Sequence, residues 1–132
     1  MASKRGAEPR IVPSADCGNS PKNTLLQDIA IAFAKRDAEF LLARVTDDIR
    51  WEVVGVRVVK GRAAFAQALQ TLGGVTLLTI DHVMSHGRVG AVNGVATHRD
   101  GAREFCDVYE FANAKAERVK SIKSYVIERA DV

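Results

Sequence analysis

The chain has 132 residues, of which 47% are hydrophobic and 27% charged, a composition typical of one globular domain. Its longest uncharged apolar stretch, residues 73–80, is far shorter than the roughly 20 residues of a membrane-crossing helix, so we expect no membrane partner. The formal net charge is +3, but residues 1–22 carry +2 of it and the rest, with 15 basic and 14 acidic residues, is close to neutral. Because a neutral domain lacks the field that attracts a phosphate backbone, we expect no nucleic-acid partner.

The N-terminal segment and the cysteines bear on compartment and cofactors. Residues 1–21 are rich in Pro, Gly, Ser and charge, without hydrophobic periodicity or the apolar block of a signal peptide. We therefore predict a flexible tail over residues 1–21, a single domain over residues 22–132, and a cytoplasmic location. The two cysteines, Cys17 and Cys106, have neither the spacing of a zinc site nor that of a disulfide framework, so we predict no metal and no cofactor.

Hydrophobic periodicity predicts helices in the first half of the domain and strands in the second. The elements predicted first are a helix over 24–35, a short helix over 39–45, strands over 49–53 and within 55–61, and a helix over 63–72. Four long strands follow, over 75–84, 88–98, 103–111 and 118–128. This segregation favours an α+β fold with three N-terminal helices packed on one face of a mostly antiparallel sheet.

Asp107 is the side chain with the clearest potential for chemistry. In a strand, alternate residues face the same side, so Asp107 shares a face with the aromatic residues Phe105, Tyr109 and Phe111. Aromatic neighbours favour burial, and a buried carboxyl must be hydrogen-bonded, paired or neutral. Burial raises the pKa of a carboxyl, which can then donate a hydrogen bond or act as a general acid or base. The residues leave open a structural alternative, in which Asp107 bonds loop amides or pairs with Arg50 or Arg103.

The other reactive side chains are expected to be structural. His86 lies in a turn, while His82 and His98 lie on strands, where a lone histidine is usually a satisfied structural residue. The chain has no Gly-x-Ser-x-Gly nucleophile elbow, and strand alternation turns Cys106 away from Asp107. Covalent catalysis through serine or cysteine is therefore disfavoured.

Four segments carry a resemblance to a known superfamily. They are Thr-Asp-Asp-Ile-Arg-Trp-Glu at the first long strand, Lys-Gly-Arg-Ala-Ala at the third helix, Phe-Cys-Asp-Val-Tyr-Glu-Phe, and Val-Lys-Ser-Ile-Lys-Ser-Tyr-Val-Ile-Glu near the end. In this order and spacing, residues 24–129 resemble the ketosteroid isomerase and SnoaL-like polyketide cyclase superfamily, with its nuclear transport factor 2-like (NTF2-like, cystatin-like) fold. The resemblance implies a cone-shaped domain whose apolar interior holds a small ligand, and a homodimer formed through the outer sheet face.

The resemblance also implies roles for particular residues. Asp107 corresponds to the aspartic acid that, when protonated, hydrogen-bonds the oxyanion in ketosteroid isomerase. The general base of that enzyme would fall at Val53, and its helix tyrosine near Ile29 or Ala30, so the usual proton transfer on a steroid is not expected. The epoxide hydrolases of the superfamily use an Asp, Arg, Asp set, but the corresponding positions here are Val92, Gly94 and Ser124.

The combined interpretation is a protein that binds a hydrophobic, oxygen-bearing small molecule, with Asp107 as the catalytic residue of an isomerase-, cyclase- or hydrolase-like step. The alternative is a non-catalytic association or dimerisation module of the same fold, which a filled core would favour over an open, partly polar cavity. The resemblance implies a cavity wall formed, besides Asp107, by Ile29, Phe33, Trp51, Val53, Asn93, Val95, Thr97, Phe105, Tyr109, Ile122 and Ser124.

Overall fold

One mixed sheet runs through the part of the chain that the computed structural model describes, residues 8–15, 20–113, 115 and 117–129. These residues form seven strands and three helices. In chain order they are β1 (Arg10–Val12), α1 (Pro21–Lys35), α2 (Ala38–Ala43), β2 (Val45–Val53), β3 (Arg57–Lys60), α3 (Arg62–Leu69), β4 (Val75–His86), β5 (Val89–His98), β6 (Gly101–Phe111) and β7 (Val119–Glu128).

The strand order in the sheet is β1-β4-β5-β6-β7-β2-β3. The four long strands β4 to β7 form an antiparallel meander, whereas β1 pairs with β4 and β2 pairs with β7 in parallel. The predicted α+β class is confirmed. The predicted arrangement of three N-terminal helices is not, because α3 follows the hairpin of β2 and β3 and lies between it and β4. None of the described helices has the length and hydropathy of a membrane span.

Local capping explains where the first helix begins. The Ser20 side chain accepts a hydrogen bond of 3.1 Å from the Asn23 backbone N–H, and Pro21 occupies the first turn, where its missing N–H costs nothing. The helix therefore starts three residues before the predicted Thr24. It ends at Lys35, and the left-handed φ of 56° at the next residue, Arg36, turns the chain so that the Asp37 N–H donates to the Ala32 carbonyl oxygen at 2.8 Å.

Two further boundaries differ from prediction. The second helix ends at Ala43 and not at residue 45, because Val45 already pairs with Val119 in the sheet. The predicted tail contains β1, which pairs with Leu77–Thr79, so a three-residue strand too short to show periodicity was missed. The remaining parts of that predicted tail, residues 1–7 and 16–19, lie outside the described residues.

The hydrophobic core lies between the helices and one face of the sheet. Three aromatic rings, Phe33, Trp51 and Phe65, meet where α1, β2 and α3 approach one another, with centroids 5.3 to 6.2 Å apart. Tyr109 and Phe111 of β6 are fully buried beneath them. These core side chains lie on the helix-covered face of the sheet, which is also the face that carries the candidate site.

Gly94 permits a close approach of two strands. A Cβ atom at position 94 would lie 2.0 Å from the Thr79 carbonyl oxygen and 3.0 Å from the Ile80 Cα, both backbone atoms. The register of β4 against β5 shifts beside this point, between Ile80 and His82. Any side chain at position 94 would force these two strands apart.

We expect Gly94→Ala to lower the free energy of unfolding by about 1 to 3 kcal/mol, because backbone atoms must move to admit the methyl group. Urea denaturation would measure the change. The matched control is Gly74→Ala, since a Cβ there meets no atom within 4 Å; we expect an effect within about 0.5 kcal/mol. Equal stability of the two variants would contradict the close approach.

Candidate functional site

A cavity of about 480 Å³ opens between α1 and the helix-covered face of the sheet. Its volume falls in the range of small-molecule sites, and most of its lining is aliphatic or aromatic. The helical and loop residues that line it are Ala30, Phe33, Ala34, Val56, Leu72 and Gly73, and the strand residues are Trp51, Val53, Arg57, Val75, Leu78, Ala96, His98, Arg103, Phe105, Asp107, Ser124 and Val126.

Strand register places the polar groups at the inner end of this cavity. Asp107 of β6 lies directly opposite Val92 of β5 and Ser124 of β7, and directly opposed residues of antiparallel strands share a face. Val92 is fully buried and Ser124 is 6% exposed. Asp107 is half-buried because its carboxyl faces the cavity.

A short hydrogen-bonded chain orients the Asp107 carboxyl. The Tyr109 hydroxyl donates to Asp107 Oδ2 at 3.4 Å, and the Ser124 hydroxyl also donates to the carboxyl. Trp51 Nε1–H in turn donates to Ser124 Oγ at 3.0 Å, which leaves the serine proton free for Asp107. The Tyr109 and Ser124 hydroxyls thus both donate to the Asp107 carboxyl, and the Trp51 indole orients the Ser124 hydroxyl for this role.

Burial sets the ionisation of the site. Removal from water raises the pKa of Asp107 to about 6, and the hydrogen bonds from Ser124 and Tyr109 oppose this rise. Burial, followed by the neighbouring Asp107 charge, raises the pKa of Tyr109 well above its usual value, so its hydroxyl keeps its proton. The Asp107 carboxyl therefore changes its protonation near neutral pH, whereas the Tyr109 hydroxyl beside it does not.

The ion pair that the sequence left open for Asp107 does not form within the described residues. Arg50 pairs with Glu52 at 3.3 Å. Arg103 pairs with Asp100 at 3.8 Å and with Glu128 at 3.6 Å. The carboxyl is therefore held by hydroxyl donors and not by a guanidinium.

Half of the predicted wall lines the cavity. These residues are Phe33, Trp51, Val53, Phe105, Asp107 and Ser124. Ile29, Tyr109 and Ile122 are instead core residues with at most 2% of their surface exposed, and they do not contribute to the lining. Tyr109 acts on the site through its hydrogen bond to Asp107.

The placement of Asn93, Val95 and Thr97 in the cavity wall is wrong. The turn between β5 and β6 pairs His98 with Gly101, which sets Val92 opposite Asp107 and puts the even-numbered residues of β5 on the cavity face. Odd-numbered residues face the other way, and Asn93 Oδ1 accepts a hydrogen bond of 3.0 Å from the His82 backbone on β4. Ala96 and His98 take the places expected for these three.

Three basic residues of the lining, Arg57, His98 and Arg103, were not predicted. Arg103 shares the face of Phe105 and Asp107 by strand alternation, so the pattern was available, but the residue was considered only as an ion-pair partner. His98 was expected to be structural. Burial, and then the charge of Arg103, lower its pKa, whereas Asp100 raises it, and its Nδ1 is buried with no hydrogen-bond partner among the described residues.

The described residues contain no group of three or more His, Cys, Asp or Glu side chains arranged to hold a metal ion.

Comparison with known proteins identifies the family. A family model described as a SnoaL-like domain matches residues 26–119, more than half of the chain. A search of curated proteins finds no match. Among solved structures, an NTF2-like protein of unknown function from Cytophaga hutchinsonii is 26% identical, with a TM-score of 0.61 over 80% of this chain and 99% of that chain.

Two other solved structures share the fold. A candidate ketosteroid isomerase from Kribbella flavida is 19% identical, with a TM-score of 0.72 over 84% of this chain and 81% of that one. An LEH-like epoxide hydrolase from M. tuberculosis is 18% identical, with a TM-score of 0.63 over 80% and 82% of the two chains. These likenesses confirm the predicted NTF2-like fold, and the family match over residues 26–119 shows that the chain belongs to the SnoaL-like domain family.

Proposed function

We propose that this protein binds a hydrophobic, oxygen-bearing small molecule in the cavity and that Asp107 acts on it as a general acid or base. The observation that carries the proposal is a carboxyl whose pKa is raised to about 6, at the inner end of a cavity of about 480 Å³. A general acid or base works best when its pKa lies near the working pH. The apolar lining supplies the binding energy through burial of the ligand.

The pKa of Asp107 favours the role of base at the start of a reaction. At pH 7 a carboxyl with a pKa of about 6 is roughly nine-tenths ionised, so it accepts a proton first and returns it later. The Tyr109 and Ser124 hydroxyls hold the carboxylate in one orientation, which favours proton transfer along a fixed direction.

The rest of the lining restricts how that proton can move. Val53, at the position of the ketosteroid isomerase base, and Ala30, near that of its tyrosine, line the cavity without a titratable group. His98 lies six residues from Val92 along β5, roughly 20 Å from the level of Asp107, which is too far for a concerted partner. A single carboxyl can shift a proton between two positions of one substrate, or activate a water molecule. These two modes correspond to isomerase- or cyclase-like and hydrolase-like chemistry.

The alternative of a non-catalytic association module is less well supported. A filled interior would favour a module of that kind, whereas Phe33, Trp51 and Phe105 lie at the wall of a cavity large enough for a ligand. The location of the protein in the cytoplasm stays a prediction from the sequence.

The outer face of the sheet supports the further proposal of a homodimer. Met84, Tyr125 and Ile127 are 59%, 43% and 70% exposed, and register places Tyr125 beside Cys106 on the face opposite to Asp107. Large exposed apolar side chains on one sheet face are a feature of association surfaces. A second copy of the chain would cover them through a two-fold interface.

Proton exchange tests the role of Asp107 without knowledge of the natural substrate. We expect the native protein to accelerate the exchange of the α-hydrogens of 2-octanone in deuterated water, followed by NMR, with a rate that rises through about pH 6 as Asp107 ionises. Asp107→Asn should lower the catalysed rate about 100-fold or more, because the amide cannot accept the proton.

The matched control for this experiment is Glu110→Gln. It removes one carboxylate from the same strand, where Glu110 pairs with Lys120 away from the cavity, and we expect it to leave the exchange rate unchanged. Exchange by Asp107→Asn at the native rate, or no acceleration by the native protein, would contradict the role of Asp107 as a base on carbonyl compounds.

The raised pKa of Asp107 also predicts a dependence of stability on pH. Between pH 3.8 and about 6 the folded state holds a proton that the unfolded state has lost, so the stabilisation is complete below pH 3.8 and is lost as the pH rises through about 6. The loss amounts to up to about 3 kcal/mol. Asp107→Asn should therefore be more stable than the native protein at pH 7 but not at pH 4, by urea denaturation. A difference that is the same at both pH values would contradict the desolvated carboxyl.

Sedimentation velocity tests the homodimer. We expect a dimer at micromolar concentration, and we expect Ile127→Glu to convert it to a monomer because a charge would then enter the apolar contact. The control is Val54→Glu, which places the same charge at a 39% exposed valine in the turn after β2. A native protein that sediments as a monomer would overturn the proposal.

A further inference from the structure

The cavity lining carries positive charge that the proposed chemistry does not use. Arg57 and Arg103 contribute it, whereas burial lowers the pKa of His98 and favours its neutral form; Asp107 is the only acidic side chain of the described lining. Along β6, Arg103 is four residues from Asp107, which corresponds to about 13 Å. Strand register places Arg57 opposite Val53, Val53 opposite Ser124 and Ser124 opposite Asp107, so Arg57 lies in the row of Asp107, three strands and about 14 Å away. Both guanidinium groups are thus well separated from the carboxyl, in different directions.

The two arginines differ in how they are compensated. Arg103 pairs with Asp100 and Glu128 at 3.8 and 3.6 Å, and the side chains of these acids are 78% and 81% exposed. Exposed pairs of this kind contribute little and exchange readily. Arg57 is exposed and makes no ion pair among the described residues, so its charge is available to a ligand.

The residues between the two ends are apolar. Val53, Phe105 and Val126 form this middle section with Trp51 and Phe33, and none of them can hydrogen-bond a polar ligand group except through the Trp51 indole, which is already bonded to Ser124. A ligand that reaches from a guanidinium group to Asp107 therefore needs an apolar body between its two polar ends.

The geometry points to a substrate class: an apolar molecule with a carboxylate at one end, bound with that carboxylate at Arg57 and with its other end, which carries the reacting group, at Asp107. The inference rests on the proposed function and deepens it. A guanidinium fork matches a planar carboxylate, and Arg57, unlike Arg103, has no acidic partner among the described residues that a ligand would have to displace. Because Asp107 would repel a second anion in the low-dielectric interior, the charges at both ends favour the same orientation.

The single tryptophan of the chain gives a direct measure of binding, since Trp51 lines the cavity. We propose to titrate its fluorescence at pH 8 with octanoate, 1-octanol and octylammonium, which share the same apolar chain and differ in charge. We expect octanoate to bind about tenfold or more tightly than 1-octanol, and octylammonium to bind most weakly. An increase of NaCl from 50 to 500 mM should weaken the binding of octanoate and leave that of 1-octanol unchanged.

Arg57→Gln tests the assigned contact, and Lys60→Gln is its matched control. Both variants remove one positive charge from an exposed residue of β3, but Lys60 does not line the cavity. We expect Arg57→Gln to raise the Kd of octanoate about tenfold and that of 1-octanol less than twofold. Lys60→Gln should change neither, and the thermal transition of each variant shows that it is folded.

The outcomes separate this inference from the proposed function. If 1-octanol and octanoate bind equally well and Arg57→Gln changes neither Kd, the carboxylate inference is overturned while the cavity stands as a binding site. Preferential binding of octylammonium would also overturn it. If none of the three compounds changes the fluorescence of Trp51 in the native protein, the proposed small-molecule function fails, and this inference fails with it.

Discussion

The site depends on the alignment of three strands, which puts one carboxyl in a single row with a serine and a valine. Asp107 faces the cavity because β6 is held between β5 and β7 in the register that sets Val92 and Ser124 opposite it. A slip of one residue would turn the carboxyl to the outer face of the sheet. The backbone hydrogen bonds of the meander, which stabilise the fold, therefore also fix the position and the environment of the reactive group.

The surroundings of Asp107 in this row also explain why its carboxyl can change its protonation. Burial disfavours its charged form, and two hydroxyl donors recover only part of the lost hydration. A guanidinium in contact would have lowered the pKa and produced an inert salt bridge. The chain instead keeps Arg57 and Arg103 away from the carboxyl, and the acids that pair with Arg103 are solvent-exposed. This separation of charges is consistent with a site in which recognition and proton transfer occur at different places.

Much of the fold and part of the site could be predicted from the sequence, for identifiable reasons. Alternation within one strand correctly placed Asp107 with Phe105 and Tyr109, because period two is a local property. The face of β5 depends on the turn to β6, and a two-residue turn after His98 aligns even-numbered residues with Asp107, contrary to the wall that the resemblance implied. Arg57 carried no local signal, because it reaches the opening only through the return of β3 beside β2.

The two short edge strands, β1 and β3, affect the tendency of the protein to aggregate at high concentration. An edge strand offers unpaired amide and carbonyl groups to other molecules, and twelve-residue β4 would be a long template of this kind. Arg10–Val12 covers part of that edge, and the opposite edge is formed by four residues that include Arg57 and Lys60. Brief, positively charged borders of this type discourage edge-to-edge aggregation, so the long strands of the meander are kept from pairing with those of other molecules through their backbone.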